Sequence, residues 1–169
     1  MEAERIRVEG GVLTELYQRY GLEAIRFAYL LTGDRTVAED LVQDAFVRLA
    51  GRFLHLRDPG GLHAYLRTTL VNLSRSHFRH EAVIRKFVDS QPRHVPSVPG
   101  PDGAERDVLR RALMQLPLRQ RTAIVLRHYE DLSEEQTAAV MRCAVTSVHS
   151  LVTRGMATLR KVMDDEQRA

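Results

Sequence analysis

The 169-residue chain has no tryptophan and a single cysteine, and only 6% of its residues are aromatic. One thiol, Cys143, cannot build a disulfide framework and suits a reducing compartment. With no second cysteine or CxxC beside it, it reads as a small hydrophobe and not as a redox centre. The shortage of aromatics argues against a carbohydrate platform. No apolar run approaches the roughly 18 residues that span a bilayer. The opening MEAERIRVEGG is charged and has no signal-peptide core. A cytoplasmic location without membrane insertion is expected. The seven histidines show no HExxH and no tight Cys/His spacing, so no metal is expected. P-loop, nucleophile elbow and paired catalytic carboxylates are also missing, which predicts neither a cofactor nor an enzyme.

What is present is segregated charge. Residues 1–50 carry 6 basic against 9 acidic side chains, and residues 51–87 carry 7 against 2. Residues 106–169 carry 11 against 8. Two basic blocks suggest a polyanionic partner. Between them, VDSQPRHVPSVPGPDGAE at 88–105 holds four of the six prolines and few apolar residues, the composition of an extended, flexible linker. Two small domains are therefore expected, 1–87 and 106–169.

Both read as helical, because no segment alternates with period two over a useful length. In AEDLVQDAFVRLAG, residues Ala38, Leu41, Val42, Ala45 and Leu49 form one apolar stripe. Asp40, Gln43, Asp44 and Val47 fall opposite, a lysine-free acidic face with Phe46 at its margin. Gly33 breaks the chain before this helix, and Thr36 with Glu39 has the spacing of a capping box. RDPGG at 57–61 predicts a turn, after which Leu62, Leu66, Leu70 and Leu73 open a long helix. Its polar side carries the ladder Arg67, Arg75 and Arg79, with Asn72 and Ser76 beside it. Arginines of this kind hold phosphates, and an amide reads a base edge.

In the second block Ser133 and Gln136 make a capping box for a short helix through Met141. RCAV turns the chain, and Thr146 or Ser147 is expected to cap a longer helix. Arg142 to Lys161 contains four basic residues and no acidic one. Short helix, turn and basic helix form the helix-turn-helix pattern. Thr146, Ser147, His149, Ser150 and Thr153 gather in its first turns, where hydroxyls and imidazole reach phosphates and base edges.

Taken in order, YGLEAIRFAYLLTGDRTVAEDLVQDAFVRLAGRF, AYLRTTLVNLSRSHFRH, the Pro-rich gap and ALMQLPLRQRTAIVLRHYEDLSEEQTAAVMRCAVTSVHSLVTRGMATLR resemble bacterial sigma-70 family factors. The resemblance is to the extracytoplasmic-function (ECF) group, and within it to actinobacterial SigE-like sequences. It implies an all-α fold of two small domains, sigma region 2 and a region 4 helix-turn-helix, and a role in promoter-specific transcription initiation. It also implies binding to core RNA polymerase through the β′ clamp helices and the β flap, binding to promoter DNA, and closure by an anti-sigma factor as in many ECF relatives. By position, Asp40, Gln43, Asp44 and Phe46 would contact polymerase. Tyr65, Arg67, Asn72, Arg75, Ser76 and Arg79 would handle the −10 element, with 53–61 as a base-capturing loop. Thr146, Ser147, His149, Ser150, Thr153 and Arg154 would read the −35 element.

The chain departs from the family pattern in places. Tyr65 stands where many relatives carry tryptophan, Ser76 replaces a common aspartate, and His80 replaces a common arginine. Arg142 occupies a turn position where glycine is usual, and a left-handed backbone there would be strained. His149 replaces a usual lysine or arginine and Leu151 a usual polar residue, which predicts a weakened −35 contact. The competing reading is a LuxR-like helix-turn-helix regulator. It shares the C-terminal pattern but leaves AEDLVQDAF unexplained.

Overall fold

A computed structural model of the chain describes residues 2–52, 58–87 and 104–168. Among these every regular element is helical. In chain order they are α1 (Glu2–Thr32), α2 (Arg35–Ala50), α3 (Pro59–Phe87), α4 (Ala104–Met114), α5 (Leu118–Ile124), α6 (Glu134–Met141) and α7 (Val145–Arg168). Most of the expected linker and of the 53–61 loop lies outside the described residues.

The first three helices pack along the predicted stripes. Ala38, Leu41, Val42, Ala45 and Leu49 of α2 are buried, and they meet Phe27, Ala28 and Leu31 of α1 and Leu62, Leu66 and Leu70 of α3. Each buried leucine contributes about 1.5–3 kcal/mol relative to exposure. Gly33, at φ +72°, lets the chain reverse between α1 and α2 in a backbone conformation that side chains disfavour. The cap of α2 differs from the expectation. Asp34 is the N-cap and accepts from the Val37 N–H at 3.0 Å, while Thr36 lies within the helix and Glu39 pairs with Arg35 at 2.8 Å. An aspartate one residue after a left-handed glycine reaches the free N–H groups first.

In the second half, Ala112, Leu113, Leu116, Ile124 and Leu159 form a smaller core. Gly155 of α7 allows the crossing of α5, since a Cβ there would come within 2.6 Å of Ile124 Cδ1. The Ser133–Gln136 capping box is present in both directions, at 3.1 and 2.8 Å. Arg142 adopts φ 52°, ψ 52°, the left-handed conformation that its position in the turn suggested. The Cys143 N–H bonds to the Ala138 carbonyl at 3.1 Å, closing a Schellman motif around Arg142. The last helix starts at Val145, with Ser147 and Val148 N–H groups bonded to the Ala144 carbonyl. Thr146 and Ser147 are therefore first-turn residues and not caps.

The two halves touch. Val125, Leu126 and Leu132 of the second half are buried in the core of the first, with Val140 and Met141 packed against it. A π turn at Val125–Tyr129 ends α5, and the Glu130 N–H bonds back to the Val125 carbonyl at 3.1 Å. Arg121 holds the seam. Its guanidinium donates to the carbonyls of Leu31 at 2.5 Å, Leu113 at 3.0 Å and Leu116 at 3.1 Å, and lies over the Phe78 ring. Leu31 and Leu113 stand in the last turns of α1 and α4, where helix oxygens lack intrahelical partners and the dipole is negative, and Leu116 lies in the turn after α4. Burial pushes its pKa down to about 10, so the group stays charged at neutral pH.

Candidate nucleic-acid and protein interfaces

The outer face of α2 carries Asp40, Gln43, Asp44 and Val47, all exposed. Phe46 is a correction to the sequence reading. It is 3% exposed and meets the Tyr17 ring edge-on at 5.1 Å, so it is a core residue and not a surface anchor. Val47, 69% exposed, is the apolar side chain that this face offers. Helical spacing from Val42 and Leu49 to Phe46 was the signal for its burial.

On α3, Arg75, Ser76, Arg79 and His80 are exposed, and Arg75 donates to Asn72 Oδ1 at 3.3 Å. Tyr65 is half-buried beneath the Arg52 guanidinium at 6.0 Å. This leaves a positive face beside the negative one of α2. Arg67 stands apart from the rest of the ladder. Its Nε donates to Glu130 Oε2 at 2.7 Å and its Nη2 to His63 Nδ1 at 3.1 Å. Glu130, supplied by the second half, was missed because no local pattern announces a partner 63 residues away in sequence.

Glu23, His63 and Glu130 bring three potential ligand atoms within 4.8 Å of one another. Their chemistry does not suit a cation. Arginine only donates, so Nδ1 of His63 bears the lone pair and Nε2 the hydrogen. That hydrogen faces Glu23 Oε1 at 3.4 Å and Glu130 Oε2 at 3.9 Å. The nitrogen a metal would need is thus a donor, and Arg67 adds positive charge. The cluster is a polar seam between the two halves.

On α7, Thr146, His149, Ser150, Thr153 and Arg154 are exposed and Ser147 is half-buried. The Ser150 hydroxyl donates to the Thr146 carbonyl at 3.1 Å, and His149 Nδ1 lies 3.2 Å from Glu134 Oε1 of α6. Leu151 is half-buried on the flank of this helix. The six residues picked from sequence thus share one region of α7, and six of the polymerase and −10 candidates remain exposed on α2 and α3. Among the described residues no helix is long and apolar enough to cross a membrane.

An acidic helix against a basic one, followed by a helix-turn-helix, is the architecture of a DNA-binding protein. Residues 16–83 match the family Sigma-70 region 2, and residues 106–159 match Sigma-70, region 4. The RNA polymerase sigma-E factor of Streptomyces coelicolor is 34% identical over 152 residues, covering 87% of this chain and 84% of that protein. The ECF RNA polymerase sigma factor EcfG of Rhodopseudomonas palustris is 33% identical over 139 residues, covering 81% and 77%. Among solved structures, the sigma factor RpoE of Bartonella quintana, in complex with the anti-sigma factor NepR, superposes with a TM-score of 0.75 at 27% identity, covering 89% of this chain and 97% of that one. The chain belongs to the ECF group of sigma-70 family RNA polymerase sigma factors. It is accordingly a transcription initiation factor and not an enzyme. The match of its first half to region 2 disfavours the LuxR-like alternative.

Proposed function

We propose that the outer face of α2 docks on the β′ clamp helices of core RNA polymerase, with Asp40, Gln43 and Asp44 pairing to basic groups and Val47 as the apolar contact. The face of α3 with Asn72, Arg75, Ser76 and Arg79 then takes the −10 element, aided by Tyr65 as a stacking surface. Thr146, Ser147, His149, Ser150, Thr153 and Arg154 of α7 meet the −35 element, and the second half also touches the β flap. On this reading residues 1–87 and 106–169 are the working units, residues 88–105 join them, and the protein acts in the cytoplasm, where its polymerase is.

The observation that carries the reading is the opposition of charge on neighbouring helices: exposed Asp40 and Asp44 in the middle of α2, whose exposed arginines Arg35 and Arg48 stand only in its first and last turns, against exposed arginines on α3. An acidic face repels DNA and favours arginines of a protein, while the arginine face does the reverse. The closed arrangement is then the resting form. The −10 and −35 elements lie roughly 25 base pairs apart, or about 85 Å of duplex at 3.4 Å per base pair. A chain whose α6 rests on α3 cannot span that distance, so the seam through Arg67 and Glu130 opens on promoter binding and Arg67 joins the −10 face. An anti-sigma factor, such as the one bound to the Bartonella relative, would act by preventing this.

The test is association of the purified full chain with core RNA polymerase, followed by run-off transcription from a promoter library. Start-site-specific transcripts that depend on the chain are expected. Absence of binding to core polymerase at low salt overturns the reading.

A further inference from the structure

We infer that Glu134 sets the base preference of the recognition helix by fixing which ring nitrogen of His149 carries the hydrogen. The inference rests on the promoter reading of α7 given above. A carboxylate only accepts hydrogen bonds, so the 3.2 Å contact to Glu134 Oε1 places the hydrogen on Nδ1 of His149. In the neutral ring the other nitrogen, Nε2, is then a lone-pair acceptor. His149 stands on the exposed side of α7 with Thr146, Ser150 and Thr153, and its side chain is 72% exposed. Glu134 is not a drifting surface residue: it is the first residue of α6, directly after the N-cap Ser133 and within the Ser133–Gln136 capping box that fixes where this helix begins.

The consequence follows from what each base shows in the major groove. Adenine N6 and cytosine N4 are amino donors, whereas guanine shows only the N7 and O6 acceptors and thymine the O4 acceptor and a methyl group. An acceptor at Nε2 pairs with adenine or cytosine and meets guanine lone pair to lone pair. A donor-only side chain at position 149 would select the opposite bases. The pair His149–Glu134 therefore does more than weaken phosphate attraction. It reverses the polarity of one contact in the groove.

Holoenzyme formed from the full chain and core RNA polymerase, transcribing a library with a randomised −35 element, reads this directly. Wild type is expected to favour adenine or cytosine at one position by about fivefold over guanine, the size of one neutral hydrogen bond. His149→Ala should flatten that position and leave the others alone. Glu134→Lys, whose ammonium only donates, should force the hydrogen onto Nε2 and turn the preference at the same position toward guanine or thymine. If Glu134→Lys melts early, Glu134→Ala replaces it, with a flattened preference expected. Unchanged preferences in His149→Ala, or an adenine or cytosine preference that survives both Glu134 variants, overturn the inference while leaving the promoter reading intact. A wild-type holoenzyme that initiates specifically but ignores the −35 element would instead remove the assignment of α7, and the inference with it.

Discussion

Arg67 of α3 and Glu130 at the end of the α5 π turn form an ion pair across the two halves of the chain, 2.7 Å long, with side chains only 13% and 5% exposed. One arginine of the α3 ladder is thus held by the protein itself. The pair is completed by His63, which accepts from Arg67 and faces Glu23. Removing one partner of a buried pair leaves the other uncompensated, at a cost of about 3–5 kcal/mol when it cannot escape to water. Here α3 is at the surface, so Arg67 can turn outward and the loss is smaller.

Glu130→Ala is therefore predicted to loosen the seam more than it unfolds either half. Amide hydrogen exchange should rise in α6 and at the α3 positions beneath it, while the α1–α2 core stays protected. The free chain should bind a −10 single strand more tightly, because Arg67 is released. An unchanged exchange pattern along α6 and α3 would contradict the role given to this pair.

Arg121 tests the seam from its buried side. Three carbonyls, in the last turns of α1 and α4 and in the turn after α4, depend on its guanidinium. Hydrogen bonds to a charged group contribute about 1.5–3 kcal/mol each and are not additive. Arg121→Met is predicted to lower unfolding stability by roughly 3 kcal/mol or more, measured by denaturant titration. Arg121→Lys should not restore it, since one ammonium cannot reproduce a planar fork directed at three oxygens. Burial lowers the folded pKa to about 10, below the ordinary arginine range, so any pH dependence from this residue lies above pH 10. There the unfolded chain holds more protons, and stability attributable to Arg121 rises with pH; at neutral pH its contribution should be flat.

Much of this arrangement was legible from residue spacing, and the failures have physical reasons. The α2 stripe, the break at Gly33, the Ser133–Gln136 box and the left-handed Arg142 depend on neighbours within one or two turns, and spacing exposes such relations directly. Phe46 was placed at the margin of the acidic face, although its distance from Val42 and Leu49 puts it on the buried side. Its size made it look like an anchor. Glu130 and Arg121 act on residues 63 and 90 positions away, beyond any local period. Arg121 left one clue: it lies on the inner side of α5 between Leu118 and Val125, where an apolar residue is expected. The loop expected at 53–61 falls mostly on residues 53–57, outside the described residues.

The turn of the helix-turn-helix carries a conformational penalty that can be relieved. A non-glycine residue at φ 52° is disfavoured by about 1–2 kcal/mol, offset in part by the Schellman bonds around it. Arg142→Gly is predicted to raise stability by about 0.5–1 kcal/mol after allowing for the freer unfolded chain. The expected signature is a higher denaturation midpoint with an unchanged slope. Affinity for DNA should fall slightly and equally for all sequences, as loss of one cationic side chain dictates.

The α2 face offers the sharpest separation of folding from function, because its two adjacent apolar residues point in opposite directions. Phe46 fills the core against Tyr17, and Phe46→Ala should destabilise the first half by about 3–5 kcal/mol. Val47 lies in solvent, and Val47→Ala should change stability by less than about 0.5 kcal/mol. Asp40→Ala combined with Gln43→Ala should be equally silent in folding, as both side chains are exposed. If this face docks on polymerase, the silent variants are the ones that lose it. Val47→Ala should weaken binding to core polymerase about tenfold, and Asp40→Ala with Gln43→Ala by more, since truncating a desolvated charged partner at an interface costs about 2 kcal/mol or above. Binding measured by fluorescence anisotropy beside a thermal melt of the same samples separates the two effects. Full polymerase affinity in the Asp40/Gln43 double variant would remove the docking assignment, and the family membership would stand without it.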